Sequence, residues 1–436
     1  MYLIFQAKPK DIIVTRIYCN DYSFNGYNIN FTGVMDVKYN KLFCSVDIYI
    51  EDLPNKTRFD YEIVHTGRNN EVLKGPFNFQ SDIYDDDKKE HKIVTYGDTD
   101  AYLKGMKTID RMKNESYDLL ILLGDYAYDI FHDNGQKGDN FWEYMEPVLT
   151  KAPFVYTPGN HETIDDGKML NTRYAMPGVL SNPGIENNFY HFIAGKVLYI
   201  QMGMDYTMFT DLSRANYYTE KLYLLLQELE SQRGIDYYYI VFFSHRPFYC
   251  IQRSQRCMVD LYYSLPIENV LNHFGVDIIL NGHVHDFEQS YMYSNYLPVE
   301  NSENKMMIIS GAAGTDKDPL DADRYYNMSF NEEYIPEVNG FTQLKISKEN
   351  VHVTFFKITD RYPIYEFDLR KIDNFEFDYF LMIGFVILVI IMVIGLAIFL
   401  IQFISNDDDK GTELKQDETK DSQLIEIVED KGVHGS

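Results

Sequence analysis

The sequence predicts an α/β fold, preceded by an all-β unit and followed by a single membrane-spanning helix. Three observations predict it. From His91 onward, short apolar runs that end in polar residues alternate with helical patterns, the layout of strands and helices in layers. Before residue 88 the apolar runs are short and separated by turns bearing Asn, Asp and Gly. From Phe380 to Ile401 there is no charged residue, and a helix of that length crosses a hydrocarbon layer of roughly 30 Å.

The expected divisions are an all-β sandwich over residues 1–88, an α/β domain over 89–372, a transmembrane helix over 379–404 and an acidic cytoplasmic tail over 405–436. In the first part, Ile12–Val14, Phe43–Ile50 and Phe59–Val64 read as strands, and no chemistry-bearing cluster stands among them. The charged run Asp85–Glu90 reads as a linker. In the second part, strands are expected at Lys92–Tyr96, Asp118–Leu123, Phe154–Tyr156, Tyr237–Phe243 and Val276–Leu280. Helices are expected at Tyr102–Met112, Leu222–Leu229 and Ile267–Phe274, and Lys305–Ser310, Gly340–Ile346 and Val351–Ile358 are expected to close a second sheet.

Composition narrows the function classes. A net charge of -26 opposes non-specific binding of nucleic acid through its phosphates. Four cysteines are too few for a disulfide scaffold; they allow three pairings, of which the two local ones, Cys19 with Cys44 and Cys250 with Cys257, are expected in an oxidising compartment. Lys and Arg flank the apolar span on both sides and do not orient it. Glycosylation sequons at Asn30, Asn55, Asn114 and Asn327 all precede it, which favours a type I topology with the N-terminal part lumenal or extracellular. That topology requires a leader. The opening Met1–Ala7 is too short to be one, so the expectation is that the given sequence starts late.

Five apolar runs end in residues that bind metals. They are Val94–Asp98, Leu119–Tyr128 (through Gly124-Asp125-Tyr126-Ala127-Tyr128), Phe154–Glu162 (through Gly159-Asn160-His161), Ile240–His245 and Ile278–His285 (through Gly282-His283-Val284-His285). Together they supply Asp98, Asp125, Tyr128, Asn160, His245, His283 and His285. A mixed oxygen and imidazole set without thiolates suits Fe, Mn or Zn rather than a structural zinc site. Seven ligands exceed one small ion and fit two, with a carboxylate able to bridge them as two-metal hydrolysis requires.

These motifs, in this order, resemble the calcineurin-like metallophosphoesterase superfamily and, within it, the purple acid phosphatases; the Tyr three residues after Asp125 marks that subfamily. The resemblance covers roughly residues 90–365. It implies a four-layer β-sandwich flanked by helices, and a fibronectin-like N-terminal domain as in longer animal-type members. It implies one metal on Asp98, Tyr128 and His285, expected as Fe(III), and a divalent Fe, Zn or Mn on Asn160, His245 and His283, with Asp125 bridging. His161 would bind phosphate or protonate the leaving group. The implied activity is hydrolysis of phosphate monoesters by a bridging hydroxide. The expected partners are phosphorylated small molecules or phosphoproteins, the membrane, and in one option a second copy of the chain.

The chain departs from the family pattern in places. Asp100 stands where a Gly is usual in the first motif, Phe242 takes a Val position, and the His found in plant members after the fourth motif is absent. Arg253 and Arg256 lie in the segment between Cys250 and Cys257, which reads as a surface loop. Two other readings stay open: a phosphodiesterase or nucleotide hydrolase on the same scaffold, and a surface receptor that no longer catalyses.

Overall fold

The computed structural model describes residues 90–101, 103–164, 188–204, 212–250, 261–291, 305–315 and 338–370. It also describes seven strands between residues 2 and 80, residue 176, and short pieces at 293–294, 297–298, 331–335, 387 and 390–398. The chain divides into two units, Met1–Lys371 and Ile372–Ser436.

The first unit begins with strands β1 (Tyr2–Ala7), β2 (Ile13–Tyr18), β3 (Tyr27–Asn30), β4 (Thr32–Asp36), β5 (Lys41–Asp47), β6 (Arg58–His65) and β7 (Glu71–Gln80). They form two antiparallel sheets, ordered β1-β5-β4 and β3-β2-β6-β7. Lys74 of β7 reaches Glu146 Oε2 at 2.7 Å, tying these strands to the α/β part of the chain.

The α/β part contains β8 (His91–Tyr96), β9 (Leu119–Leu122), β10 (Phe154–Tyr156), β11 (Phe189–Ala194), β12 (Val197–Met202), β13 (Tyr239–Phe243), β14 (Ile278–Asn281) and β15 (Phe287–Tyr291). It continues with β16 (Tyr293–Ser294), β17 (Leu297–Pro298), β18 (Met306–Ser310), β19 (Asn331–Ile335), β20 (Gly340–Ile346), β21 (Asn350–Lys357) and β22 (Tyr365–Arg370). Its helices are α1 (Leu103–Met112), α2 (Gln136–Leu149), α3 (Leu212–Leu229) and α4 (Leu261–His273). One mixed sheet runs β10-β9-β8-β20-β21-β22 and the other β11-β12-β13-β14-β18-β15-β19.

Period-two alternation explains the layers. On β13, Tyr239, Val241 and Phe243 enter the core shared with the first sheet, while Ile240 and Phe242 enter the cluster built with α3 and α4. On β14 and β18 the same division separates Ile278, Leu280, Met306 and Ile308 from Ile279 and Met307. In the first sheet, the Tyr96 hydroxyl lies 3.4 Å from Met145 Sδ of α2, and Thr342 on β20 donates to Ser310 of the other sheet at 2.8 Å. Helices, sheet, sheet and helices therefore follow in order. The central strands are parallel and buried on both faces, so their polar residues fall at the strand ends.

Several elements differ from the expectation. Strands β20 and β21 belong to the first sheet, not the second: β20 pairs antiparallel with β8, Thr342 opposite Thr95. With β9 on one edge of β8, the other edge still needs backbone partners, and β20 supplies them. Helix α3 starts ten residues earlier than expected, because Ser213, Arg214 and Asn216 interrupt an apolar stripe that nonetheless runs through Ala215, Tyr218, Leu222, Leu226 and Leu229. Helix α2 was not expected; Gly138 and Pro147 mask its buried face of Phe141, Met145 and Val148. The hairpin of β11 and β12 turns on Gly195 and Lys196, both at positive φ, the type I′ geometry that suits twisted strands.

Among the described residues no helix is long and apolar enough to cross a membrane. Residues 390–398 are helical, and the rest of the expected span over 379–404 lies outside the described residues. Cys250 is disulfide-bonded, and its expected partner Cys257 lies outside them, as do Cys19, Asn55, Arg253, Arg256, Asn327 and the tail over 405–436. Asn114 is exposed in the turn that follows α1.

Candidate metal centre

Every residue singled out as a ligand sits just past the C-terminal end of a parallel strand, where open α/β sheets place their sites. Asp98 follows β8, Asp125 and Tyr128 follow β9, Asn160 follows β10, His245 follows β13, and His283 and His285 follow β14. All seven expected ligands lie in one place. In one group the Tyr128 hydroxyl donates to Asp98 Oδ1 at 3.1 Å and lies 2.8 Å from His285 Nε2, which is itself 3.5 Å from Asp98 Oδ1. In the other, His245 Nε2 is 3.2 Å from both Asn160 Oδ1 and His283 Nδ1. Asp125 Oδ2 stands 3.3 Å from His245 Nε2. Asp125, His245 and His283 present ligand atoms that all lie within 4.8 Å of one another.

The turns that carry these groups are backbone-strained. Asp98, Asp125, Tyr128, Asp129 and His283 all adopt positive φ, between 47° and 73°, a region that costs L-residues energy and persists only when the surroundings enforce it. The enforcement is visible. His283 N–H donates to Asp98 Oδ2 at 2.7 Å, His161 N–H to Asp125 Oδ1 at 3.0 Å, and Asp98 N–H to the Gly124 carbonyl at 3.0 Å. A Cβ on Gly159 would stand 2.2 Å from Asp125 Oδ1, so that approach requires glycine. Asp100 has φ 55°, which accounts for the Gly usual there and for the tolerance of Asp, a residue that enters the left-handed region more readily than most.

The electrostatics fit cations. Asp98, Asp125, His245, His283 and His285 are buried. His245 Nδ1 lies 2.6 Å from the Leu123 carbonyl, an acceptor only, so Nδ1 carries the proton and Nε2 turns a lone pair to the cluster. Burial raises the Tyr128 hydroxyl well above the ordinary phenol range, and Asp98 and Asp125 raise it further. A bound cation reverses that sign, since it favours the phenolate. Burial opposes ionisation of Asp125, but His245 and His161 hold its carboxyl below the usual range. Burial, then His245 and Arg246, push the His283 imidazole down to about 2. The oxygen and nitrogen donor set, free of thiolate, therefore fits two hard or borderline ions.

His161 stands at the edge of the cluster, half-buried, with Nε2 4.0 Å from Asp125 Oδ2 and its ring 4.4 Å from that of Tyr128. Three neighbours received no role from the sequence. Asp129 Oδ1 lies 2.8 Å from His161 Nδ1, which fixes the ring and leaves Nε2 facing the cluster. Glu162, fully buried, accepts three backbone N–H groups. Arg246 Nη1 lies 2.8 Å from His283 Nε2 and brings positive charge to the second group. Asp129 follows Tyr128, Glu162 follows His161 and Arg246 follows His245, so adjacency to a residue already singled out was the signal that could have found each.

The family model of calcineurin-like phosphoesterases matches residues 75–287. A human protein named acid phosphatase type 7 is 26% identical over 251 residues, which cover 52% of this chain and 55% of that protein. Purple acid phosphatase 15 of Arabidopsis thaliana is 26% identical over 236 residues, covering 47% and 42% respectively. The chain thus spans about half the length of the curated relatives it matches. A purple acid phosphatase from yellow lupin seeds (Lupinus luteus) superimposes with a TM-score of 0.67 over 85% of this chain and 72% of that one, at 13% identity, a likeness of fold.

The position of His283 predicts an acid sensitivity for the metal-free chain. Unfolded, its imidazole takes up a proton as pH falls below about 6.5; folded, it resists protonation until about pH 2. The stability it contributes is therefore complete above the unfolded value and is lost as pH falls through this window. Denaturant midpoints measured between pH 7 and pH 4 should fall, and His283→Gln should flatten part of that fall. An unchanged slope in the variant contradicts the assignment.

Proposed function

We propose that this chain, whose residues 75–287 are a calcineurin-like metallophosphoesterase domain, is a phosphoric monoester hydrolase of the purple acid phosphatase type. The observation that carries the reading is the convergence of all seven ligands in two groups beside a His161 already held by Asp129. Asp98, Tyr128 and His285 would hold Fe(III), and Asn160, His245 and His283 a divalent Fe, Zn or Mn, with Asp125 shared. When bound, such a pair supplies Lewis-acid polarisation of the phosphoryl group and a water acidic enough to act as nucleophile near neutral pH.

The chain's own residues do the rest. Arg246 offers its guanidinium to a phosphoryl oxygen, in keeping with its place beside His283. With both ring nitrogens protonated, His161 offers the Nε2 proton to the leaving alkoxide, and Asp129, at 2.8 Å from Nδ1, keeps the ring in the orientation that this donation needs. Phosphorylated small molecules or phosphoproteins are the substrate class, and the chain works alone or as a homodimer.

The same proposal includes a single-pass type I anchor over 379–404, with the catalytic part glycosylated and lumenal or extracellular. The uncharged run from Phe380 to Ile401 and the four sequons ahead of it support this, and Asn114 is exposed where a glycan needs it.

Phosphate release from paired mono- and diester substrates by the metal-loaded chain should favour the monoester. His161→Ala should lower kcat by roughly 10²–10⁴-fold, the usual worth of a general acid, and Asp129→Asn by less, with KM little changed. Diester preference, or a His161→Ala enzyme as fast as wild type, contradicts the reading. Protease treatment of sealed membranes carrying the chain should remove the tail over 405–436 and spare a glycosylated catalytic part. Digestion of the catalytic part would refute the topology.

A further inference from the structure

The loops after β9 and β10 are joined by a crossed pair of side-chain-to-backbone contacts. Asp125 Oδ1 accepts the N–H of His161 at 3.0 Å. In return the next residue, Glu162, accepts the N–H of Asp125 at 2.7 Å, of Tyr126 at 3.0 Å and of Gly159 at 2.9 Å. Both carboxylates are buried, and Asp125 adopts φ 50°, a conformation that needs external support. A carboxylate accepting several N–H groups is the strong form of such a bond. The arrangement resembles a capping box turned across two loops rather than along one helix.

We infer that Glu162 is a positioning residue for the metal centre, and that divalent-metal affinity at Asp125, Asn160, His245 and His283 depends on it. The inference rests on the proposed two-metal reading. Glu162 does not face the cluster, because its two oxygens are turned to the backbone of the loops. It acts through Asp125, whose amide it fixes, and through Gly159, whose amide it fixes one residue before Asn160. Without it, two loops that each carry a ligand of the same ion lose the contact that sets their separation. Outer partners of this kind typically cost 10–100-fold in metal affinity when changed.

The test is a titration of metal-free full chain with Zn(II), read as affinity and stoichiometry, on wild type and Glu162→Gln. The amide of Gln keeps one acceptor and turns an N–H₂ donor toward the backbone donors, so it loses at least one of the three bonds. The expected result is a 10–100-fold weaker affinity in a chain whose circular dichroism is that of wild type. Val270→Ala in α4, a core truncation remote from the ligands, should lower thermal stability and leave Zn(II) affinity unchanged, which separates positioning from general destabilisation. If Glu162→Gln does not fold, Glu162→Asp, which keeps the charge on a shorter arm, carries the same expectation. Wild-type affinity in the folded variant overturns the inference, and failure of both variants to fold makes Glu162 a folding residue and overturns it too. A folded wild type that takes up no Zn(II) overturns the metal reading instead.

Discussion

One turn, Leu123-Gly124-Asp125, holds the candidate centre together. The Leu123 carbonyl accepts from His245 Nδ1, the Gly124 carbonyl from Asp98 N–H, and the Asp125 carbonyl from Thr99 N–H. Three residues thus fix the loops after β8 and β13, while the Asp125 side chain fixes the loop after β10. The turn can do this because Gly124 adopts φ 88° and carries no Cβ; one would stand 2.6 Å from His245 Nδ1. Backbone carbonyls at the end of a buried strand have no water to bond, so they orient the ligands that meet there.

A second constraint comes from burial. Asp98 and Asp125 are almost wholly removed from water, and Tyr128 is pressed against them. Carboxylates so placed are stable when cations or several hydrogen bonds meet them. Backbone N–H groups meet part of that need here: His161 N–H serves Asp125, and His283 N–H serves Asp98. Six left-handed, non-glycine residues in the same turns mark a region where fold stability yields to the placement of the candidate ligands.

How much of this was legible depended on whether a residue's role was local. The strand cores and the candidate ligands that converge were readable because an apolar run followed by Asp, Asn or His is a pattern within one stretch of chain. The two groups themselves were divided by family resemblance, and the contacts of Tyr128 with His285 and of His245 with Asn160 agree with that division. The sheet assignment of β20 and β21 was not readable, since partner choice across some 250 residues leaves no local mark. Helix α2 was hidden by its own Gly138 and Pro147. Asp129 and Glu162 looked like ordinary acidic residues beside ligands; only the folded chain sets one against an imidazole and the other under three amides. The N-terminal strands were readable as β but not in number, because their apolar runs are short and interrupted.

The most direct test of the account is anomalous X-ray scattering from crystals of the metal-loaded catalytic part, recorded at the Fe edge and at the edge of the divalent ion. The account predicts two anomalous peaks, iron beside Tyr128 and the divalent ion beside Asn160, with Asp125 between them. A single peak, or two peaks away from these residues, would contradict it.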